Sequence, residues 1–163
     1  MALPTWVFDT SSLIAARSLF SRVERAAVMS ALAIPVAQGR LVFPREVVAE
    51  LERYDGADTP ALDWARLHQG IATASQPSFT SVRDVLAQVP EVLDPDKEGV
   101  EEADSYVLAM ALELLNTGTD VRVVTEEFKT TRKKMPLGSA AGFLRIPSVS
   151  LKTMLKFEGI TSF

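Results

Sequence analysis

The sequence predicts an α/β protein, a three-layer α/β/α sandwich around a mostly parallel sheet of four to five strands. Short segments rich in β-branched residues alternate with longer segments of helical periodicity, which is the pattern of parallel strands joined by helices. Two predicted strands, at 5–8 and 121–125, end directly on carboxylates, at the edge where parallel sheets bind ligands. With 163 residues, the chain is expected to fold as a single domain over residues 1–163.

The first strand leads directly into a helix. Residues 5–8 are mostly apolar and strand-favouring, and small polar residues follow at once. Ser11 or Ser12 is expected to cap a helix that begins at Leu13. Asp9 either caps this helix or takes part in chemistry, and this segment alone does not decide between the two.

A helix and a short edge strand come next. The helix is predicted over 22–38, with Pro35 ending or kinking its last turn and Gly39 following it. Its periodicity predicts a core-facing stripe of small and apolar residues, namely Val23, Ala26, Ala27, Ser30, Ala31 and Ile34. The segment 41–43 is long enough only for an edge strand.

The following helix, predicted over 45–54 with Pro44 at its first position, carries a carboxylate on its apolar face. That face holds Val47, Leu51 and Tyr54. Glu50 lies on the same face, whereas Glu46 and Glu52 are expected to face solvent. An unpaired buried carboxylate is unfavourable, so Glu50 predicts a nearby cation, partner or metal; an ordinary surface glutamate is the alternative.

The middle of the chain is predicted to be helical over 61–74 and 82–89, with loops over 55–60 and 90–99. Apolar residues of the first of these helices are expected in the core: Leu62, Ala65, Leu67 and Ile71. Trp64 is also expected to pack in the core rather than bind a ligand.

The longest helix is predicted over 100–115, and acids cluster at its start. Asp104 heads an apolar stripe made of Val107, Leu108, Ala111 and Leu115. Glu101 and Glu102 are expected only to oppose the helix dipole in the first turn, which is also the alternative role for Asp104.

The strand at 121–125 ends on Thr125, Glu126 and Glu127, which repeats the arrangement around Asp9. The most basic stretch of the chain follows, containing Lys129, Arg132, Lys133 and Lys134. It is either a binding surface or a solvated loop. The chain is predicted to close with a helix over 137–144, a strand over 148–150 and a helix over 151–158.

Composition excludes several kinds of site. The chain has no cysteine, so disulfides, thiolate metal sites and cysteine nucleophiles are excluded. His68 is the only histidine and is expected to be structural or at the surface, so any metal must be bound by oxygen ligands. The net charge of −4 argues against nucleic-acid binding through bulk charge alone. The sequence has no apolar run of about 20 residues and no signal peptide, so we expect a cytoplasmic protein.

Four acids converge if the two acid-ended strands are neighbours. They are Asp9, Glu50, Asp104 and either Glu126 or Glu127. Carboxylates within a few ångströms repel one another, and a divalent cation removes that repulsion. Mg²⁺ and Mn²⁺ prefer oxygen-rich shells, and such an ion activates water and stabilises charge on a phosphodiester.

Four segments, in order, resemble the motifs of the PIN-domain family. They are VFDTSSLI at 7–14, PREVVAEL at 44–51, ADSYVLAMA at 103–111 and VVTEE at 123–127. Glu127, two places after Thr125, holds the acid position of the fourth motif, where many members have aspartate. The resemblance covers nearly the whole chain and is nearest to small stand-alone PIN proteins of a DUF4411-like subfamily. Trp64, the basic stretch 129–134 and the pair 135–136 are similar to features of that subfamily.

The resemblance implies a PIN-like fold and a Mg²⁺- or Mn²⁺-dependent endoribonuclease, most often the toxin of a type II toxin–antitoxin system like the VapC group. It implies four metal-binding and catalytic acids: Asp9, Glu50, Asp104 and Glu127. It implies supporting roles for Thr10, Ser11, Thr125 and Glu126. It implies contacts to the RNA backbone from Lys129, Arg132, Lys133 and Lys134. The partners implied are an RNA substrate, a cognate antitoxin protein and a second copy of the chain.

Three alternatives stay open. The first is a PIN-like nuclease that acts on DNA or structured RNA outside any toxin system. The second is a module of the same fold that binds nucleic acid or protein without hydrolysing it. The third, an aspartyl-phosphate enzyme with Asp9 as nucleophile, is disfavoured because Ser11 stands where a second acid is expected.

Overall fold

Four short strands form one parallel sheet in the computed structural model, which describes residues 2–54, 59–97, 102–129 and 134–160. They are β1 (Thr5–Phe8), β2 (Leu41–Val42), β3 (Val121–Val124) and β4 (Ser148–Val149). Their order is β2-β1-β3-β4, and Val7 of β1 is aligned with Val42 and Val123. The two strands that acids follow, β1 and β3, are therefore central neighbours, and β2 is the predicted edge strand.

Helices cover both faces of this sheet. Those in the described part of the chain are α1 (Thr10–Ser18), α2 (Arg22–Ala37), α3 (Arg45–Arg53), α4 (Thr59–Ala72), α5 (Phe79–Gln88), α6 (Asp104–Asn116), α7 (Leu137–Phe143) and α8 (Leu151–Phe157). Helix α6 packs on β1 and β3 and is covered by α5, while α1 contacts α2, α3, α4 and α8. The predicted three-layer α/β/α fold is confirmed. None of the described helices is both long and apolar enough to cross a membrane.

Four helices, α1, α4, α5 and α6, begin at residues other than those predicted; α4 begins at Thr59 rather than 61 and α5 at Phe79 rather than 82. Helix α1 begins at Thr10, because the carboxylate of Asp9, rather than Ser11 or Ser12, caps it by accepting the N–H of Ser12 at 2.8 Å. Helix α3 begins at Arg45, as predicted, although Pro44 is its N-cap and not its first helical residue. Helix α6 begins at Asp104 instead of residue 100. At α1 the side chain of Asp9 satisfies a backbone N–H of the first turn, which periodicity alone does not reveal.

The core-facing side of α2 is not the predicted stripe. Its buried residues are Val28, Met29, Leu32, Pro35 and Val36, whereas Val23, Ala26, Ala27, Ser30 and Ile34 are exposed and Ala31 is half-buried. The helix is apolar on two sides, and it is the side with the larger side chains that packs against the sheet and its neighbours. Pro35 lies inside the last turn, and Gly39 ends the helix with a φ of 70°.

Helix α4 packs on α2 through Trp64, as predicted for a core residue. The indole N–H of Trp64 donates to the carbonyl of Met29 at 2.9 Å, and His68 lies against the same indole. Leu67 and Ile71, which we expected in the core, are exposed at 78% and 55% because they lie outside the arc that faces α1 and α2.

Of the predicted loop 55–60, residues 55–58 lie outside the described residues. The predicted loop 90–99 contains two 3₁₀ turns, Pro90–Val92 and Pro95–Lys97.

Helix α3 is buried on more than one side, because it packs between α1 and α4. The prediction that Glu46 faces solvent is therefore wrong, because Glu46 is buried. One of its carboxylate oxygens accepts a hydrogen bond from Arg45 Nε at 3.1 Å. Its other oxygen has no hydrogen-bond partner among the described residues. Glu52 is exposed, as predicted, and pairs with Arg66. Tyr54, assigned to the apolar face, is 43% exposed at the end of the helix.

A partly buried ion pair joins the amino ends of the strands to the end of α8. Arg40 donates to both oxygens of Glu158, at 3.0 and 2.8 Å, and the indole N–H of Trp6 donates to the same carboxylate at 3.2 Å. The guanidinium of Arg122 lies over the rings of Trp6 and Phe157. These contacts hold the last helix against the first strand, at the opposite edge of the sheet from the acids.

Candidate metal centre

Asp9 is held in one orientation at the carboxyl end of β1. Its residue is 1% exposed, and its carboxylate accepts from the backbone N–H of Ser12, from the hydroxyl of Ser11 and from the hydroxyl of Thr125. The Ser11 and Thr125 hydroxyls donate to the same Asp9 oxygen, at 2.8 and 2.5 Å. Asp9 is therefore both the cap of α1 and a fixed buried carboxylate, so the two predicted readings are not exclusive.

Two further acids reach the same place from distant parts of the chain. Asp104, 4% exposed, is the first residue of α6, and Glu127 follows the end of β3 by three positions. Carboxylate oxygens of Asp9, Asp104 and Glu127 all lie within 4.8 Å of one another. We call these three residues the acid cluster. The structure thus brings together three of the four predicted acids.

Hydroxyl groups connect the two loops that carry the cluster. The backbone N–H of Glu127 donates to Thr125 Oγ1 at 3.0 Å, and that of Glu126 donates to Ser11 Oγ at 3.0 Å. Ser11 and Thr125 are thus both bound to Asp9 and to the backbone after β3. Their predicted supporting role has a physical basis, because each hydroxyl fixes a carboxylate and the backbone of the facing loop together.

The adjacent acids after β3 have different environments. The side chain of Glu126 accepts a hydrogen bond from the backbone N–H of Leu151 at 2.8 Å. Leu151 is the first residue of α8, so its N–H has no acceptor within the helix. The side chain of Glu127 instead lies in the acid cluster. The sequence left the choice between these two open, and the geometry favours Glu127 as the fourth acid.

Glu50 lies beside the acid cluster rather than in it. Its carboxylate accepts the N–H of Ala103 at 3.0 Å, immediately before α6, and its residue is half-buried. It lines a cavity of about 630 Å³ that Asp104 and Glu127 also line. Glu50 is therefore the predicted inward-leaning acid, and its partner is the backbone at the start of α6.

Glu102, which was not predicted to belong to a site, lines the same cavity. It is 6% exposed and accepts the N–H of Asp94 at 2.8 Å. The prediction that it only opposes the dipole of a first helical turn is wrong, because α6 begins two residues later, at Asp104. Glu101 lies outside the described residues. The position of an acid just before a helix start was the signal available in the sequence.

Lys134 is placed differently from the other predicted RNA-binding residues. Its ammonium lies 2.6 Å from Asp104 Oδ2 and 3.1 Å from Glu127 Oε1. Lys129 is exposed, while Arg132 and Lys133 lie outside the described residues. The last lysine of the basic stretch is thus bound within the acid cluster rather than presented on an open surface.

The electrostatics of the cluster favour positive charge. Burial raises the pKa of Asp9 to about 7, with a further rise from Glu127 and an opposing effect of the hydrogen bond from Thr125. Burial and the charge of Glu127 raise the pKa of Asp104 to about 8, against the attraction of Lys134. Although burial opposes its charge, the carboxylates of Asp104 and Glu127 raise the pKa of Lys134. One ammonium does not balance three carboxylates, so the cluster retains a proton or a further cation.

The donors present fit a hard divalent cation. All three acids offer oxygen, which Mg²⁺ and Mn²⁺ prefer. Asp104 and Glu127 line an open cavity that has room for water ligands, whereas Asp9 is buried. A second observation comes from Thr10, which lines this cavity and is 7% exposed. Its hydroxyl is buried and has no hydrogen-bond partner among the described residues, which leaves an unsatisfied polar atom on the residue that follows Asp9.

Comparison with protein families shows which family the chain matches. A family model for a domain of unknown function, DUF4411, matches residues 6–162, which include the whole acid cluster. None of the curated proteins compared with the chain matches it.

Proposed function

We propose that this protein, which belongs to the DUF4411 family of domains of unknown function, is a Mg²⁺- or Mn²⁺-dependent endoribonuclease. The observation that carries the proposal is the convergence of Asp9, Asp104 and Glu127 within 4.8 Å at the carboxyl edge of a parallel sheet. Buried carboxylates repel one another, and burying their charge is unfavourable unless a counter-ion or a proton neutralises it. The motif resemblance to PIN-domain nucleases supports the choice of phosphodiester hydrolysis among metal-assisted reactions.

In this mechanism Asp9, Asp104 and Glu127 would hold the metal ion, and the hydroxyls of Ser11 and Thr125 would keep the Asp9 carboxylate in place. When bound there, a divalent ion lowers the pKa of a coordinated water and stabilises negative charge on the phosphate.

Two further residues have other roles, since one positions Asp104 and the other attracts the substrate. Glu50 fixes the start of α6, and therefore Asp104, through the N–H of Ala103. Lys129 is exposed at the start of the basic stretch, where its positive charge attracts the phosphates of the RNA backbone.

The biological role we propose is that of a type II toxin that acts in the cytoplasm and is held by a cognate antitoxin. Resemblance to the VapC group supports this role, and the same resemblance supports a homodimer. A nuclease that acts on DNA or structured RNA would use the same acids, so the substrate panel in the experiment below separates these activities.

A non-catalytic binding module is the second candidate, and one observation favours it. Lys134 already neutralises part of the acid cluster through contacts of 2.6 and 3.1 Å. In that case the ion pair is purely structural, and a divalent ion neither binds the cluster nor promotes cleavage.

The test is cleavage of end-labelled single-stranded RNA by the purified protein, with single-stranded DNA and hairpin RNA as comparison substrates. We expect RNA cleavage with Mg²⁺ or Mn²⁺, loss of cleavage with a chelator, and loss in Asp104→Asn with an unchanged circular dichroism spectrum. Glu52→Gln, which alters an exposed acid, is the matched control and should cleave like the wild type. Metal-independent cleavage, or full activity of Asp104→Asn, contradicts the proposal.

A further inference from the structure

We infer that Lys134 is an internal counter-ion of the acid cluster, which a divalent metal ion displaces and which then serves as a phosphate ligand in the adjoining cavity. This inference rests on the metal site of the proposed function, although not on the hydrolysis of RNA. It assigns Lys134 two alternating positions, one on the carboxylates and one in the cavity.

The first step of the argument is that Lys134 and a metal ion compete for the same oxygens. The ammonium contacts Asp104 Oδ2 and Glu127 Oε1, which belong to two of the three acids that form the cluster. An ammonium on these oxygens faces the carboxylates from the side that a cation would occupy, and two cations so close together repel each other. Binding of a divalent ion and the present position of Lys134 therefore exclude each other.

The second step is that the side chain has room to move while its backbone stays in place. Lys134 lines the cavity of about 630 Å³, and its side chain is 20% exposed there. The backbone after it is fixed, because the N–H of Met135 donates to the carbonyl of Glu91 at 2.6 Å and that of Gly138 donates to the carbonyl of Glu127 at 2.9 Å. A lysine side chain has four rotatable carbon–carbon bonds, so the ammonium can exchange positions without movement of this backbone.

The third step concerns what the displaced ammonium meets. The cavity continues past Ile14, Arg53 and Tyr54, and Thr10 also lines it. A phosphate bound next to a metal ion on the cluster would lie in this space and would bring negative charge to it. Lys134, released from the carboxylates, is then a ligand for that phosphate, which makes metal binding and substrate binding mutually supportive.

The experiment measures Mn²⁺ binding directly, by the loss of the electron paramagnetic resonance signal of free Mn²⁺ on titration with protein. We expect Lys134→Met to bind Mn²⁺ at least tenfold more tightly than the wild type, because the competing cation is gone. Lys156→Met removes the same charge from an exposed position on α8 and should leave the affinity unchanged. Equal or weaker Mn²⁺ binding by Lys134→Met overturns the inference.

A second measurement does not depend on the folding of a variant. In wild-type protein, the ¹³Cε and ¹Hε resonances of Lys134 are followed during titration with diamagnetic Mg²⁺. We expect them to shift with the same midpoint as Mg²⁺ binding and to shift again when inorganic phosphate is added. Lysine resonances that stay unchanged while Mg²⁺ binds contradict the exchange of positions.

These outcomes are distinguishable from failure of the proposed function. If Asp104→Asn and the wild type both fail to bind Mn²⁺, the metal site itself is absent, and the nuclease proposal and this inference fail together. If Mn²⁺ binds with the same affinity in Lys134→Met and the wild type, only the counter-ion role of Lys134 is contradicted.

Discussion

The hydroxyl of Thr125 donates to the carboxylate of Asp9 at 2.5 Å, across 116 positions of the chain. The contact is a direct result of sheet topology, because β1 and β3 are parallel neighbours and the N–H of Asp9 donates to the carbonyl of Val124. It fixes the first acid of the cluster against the loop that carries the last, Glu127. Residues that no local pattern relates are thus joined at the point where the proposed chemistry takes place.

Removal of this hydroxyl should weaken both the fold and the metal site. We expect Thr125→Val to lower the free energy of unfolding by about 1–3 kcal/mol, because a buried carboxylate loses a donor. Mn²⁺ affinity should also fall, since Asp9 is less rigidly oriented. Urea denaturation and the Mn²⁺ titration measure the two effects, with exposed Thr80→Val as the control. Unchanged Mn²⁺ affinity in Thr125→Val would exclude a supporting role for this residue.

The metal-free protein should lose stability as the pH rises. The pKa of Asp9 is raised to about 7 and that of Asp104 to about 8 in the folded state, from an ordinary value of 3.8. The folded state therefore holds protons that the unfolded state releases, and the stability gained from them is lost between about pH 4 and pH 8. We expect the melting temperature in chelator to fall from pH 5.5 to pH 8.5, and Mn²⁺ to raise it more at pH 8.5.

The variant Asp9→Asn isolates the contribution of one acid to this pH dependence. Asparagine keeps an oxygen that can accept the N–H of Ser12 but has no carboxyl to titrate. The fall in melting temperature with pH should be smaller in this variant. His68, whose pKa burial lowers, titrates in both proteins and cancels in the comparison. An identical pH profile in both proteins would show that Asp9 does not bind the proton.

The two acids after β3 should respond differently to substitution. Glu126→Ala removes the acceptor of the Leu151 N–H, so we expect a loss of about 0.5–2 kcal/mol in stability with unchanged Mn²⁺ affinity. Glu127→Ala should greatly weaken Mn²⁺ binding. Chemical denaturation and Mn²⁺ titration of both variants test the assignment, and the reverse pattern would make Glu126 the metal ligand.

The orientation of α2 can be tested with two apolar positions two residues apart. Leu32 is fully buried and Ile34 is 60% exposed, although the predicted stripe contained only Ile34. We expect Leu32→Ala to lower the free energy of unfolding by about 2–5 kcal/mol. Ile34→Ala should change it by less than about 1 kcal/mol. Equal losses in the two variants would mean that α2 buries both sides.

The features that the sequence predicted correctly depend on local patterns. A run of β-branched residues predicts β3, and an acid directly after a strand lies at the sheet edge wherever the strand is placed. Asp9 and the pair Glu126 and Glu127 were identified on that basis, and Asp104 by its place at the head of an apolar helix face. The choice of Glu127 came from the motif resemblance. The parallel sheet followed from the alternation of strands and helices.

The features that the sequence did not predict depend on tertiary contacts between elements that are distant in the chain. Glu46 appears solvated on a helical wheel, but α3 has neighbours on two sides and buries it. Helix α2 has two apolar sides, and only the position of the sheet selects the one with Leu32. Lys134 belongs to a basic stretch by sequence, whereas its ammonium contacts acids that lie 30 and 7 positions away. Such outcomes are tertiary, so periodicity and local charge do not contain them.

The order in which the chain supplies its acids has a consequence for the newly made protein. Asp9 leaves the ribosome early, but the cluster is incomplete until Glu127 follows, and Glu126 next to it is anchored only when Leu151 arrives. The ion pair between Arg40 and Glu158 forms later still, because Glu158 is made after Leu151. A chain synthesised only as far as α6 therefore lacks the cation site, and the metal-dependent activity that we propose would be absent from it.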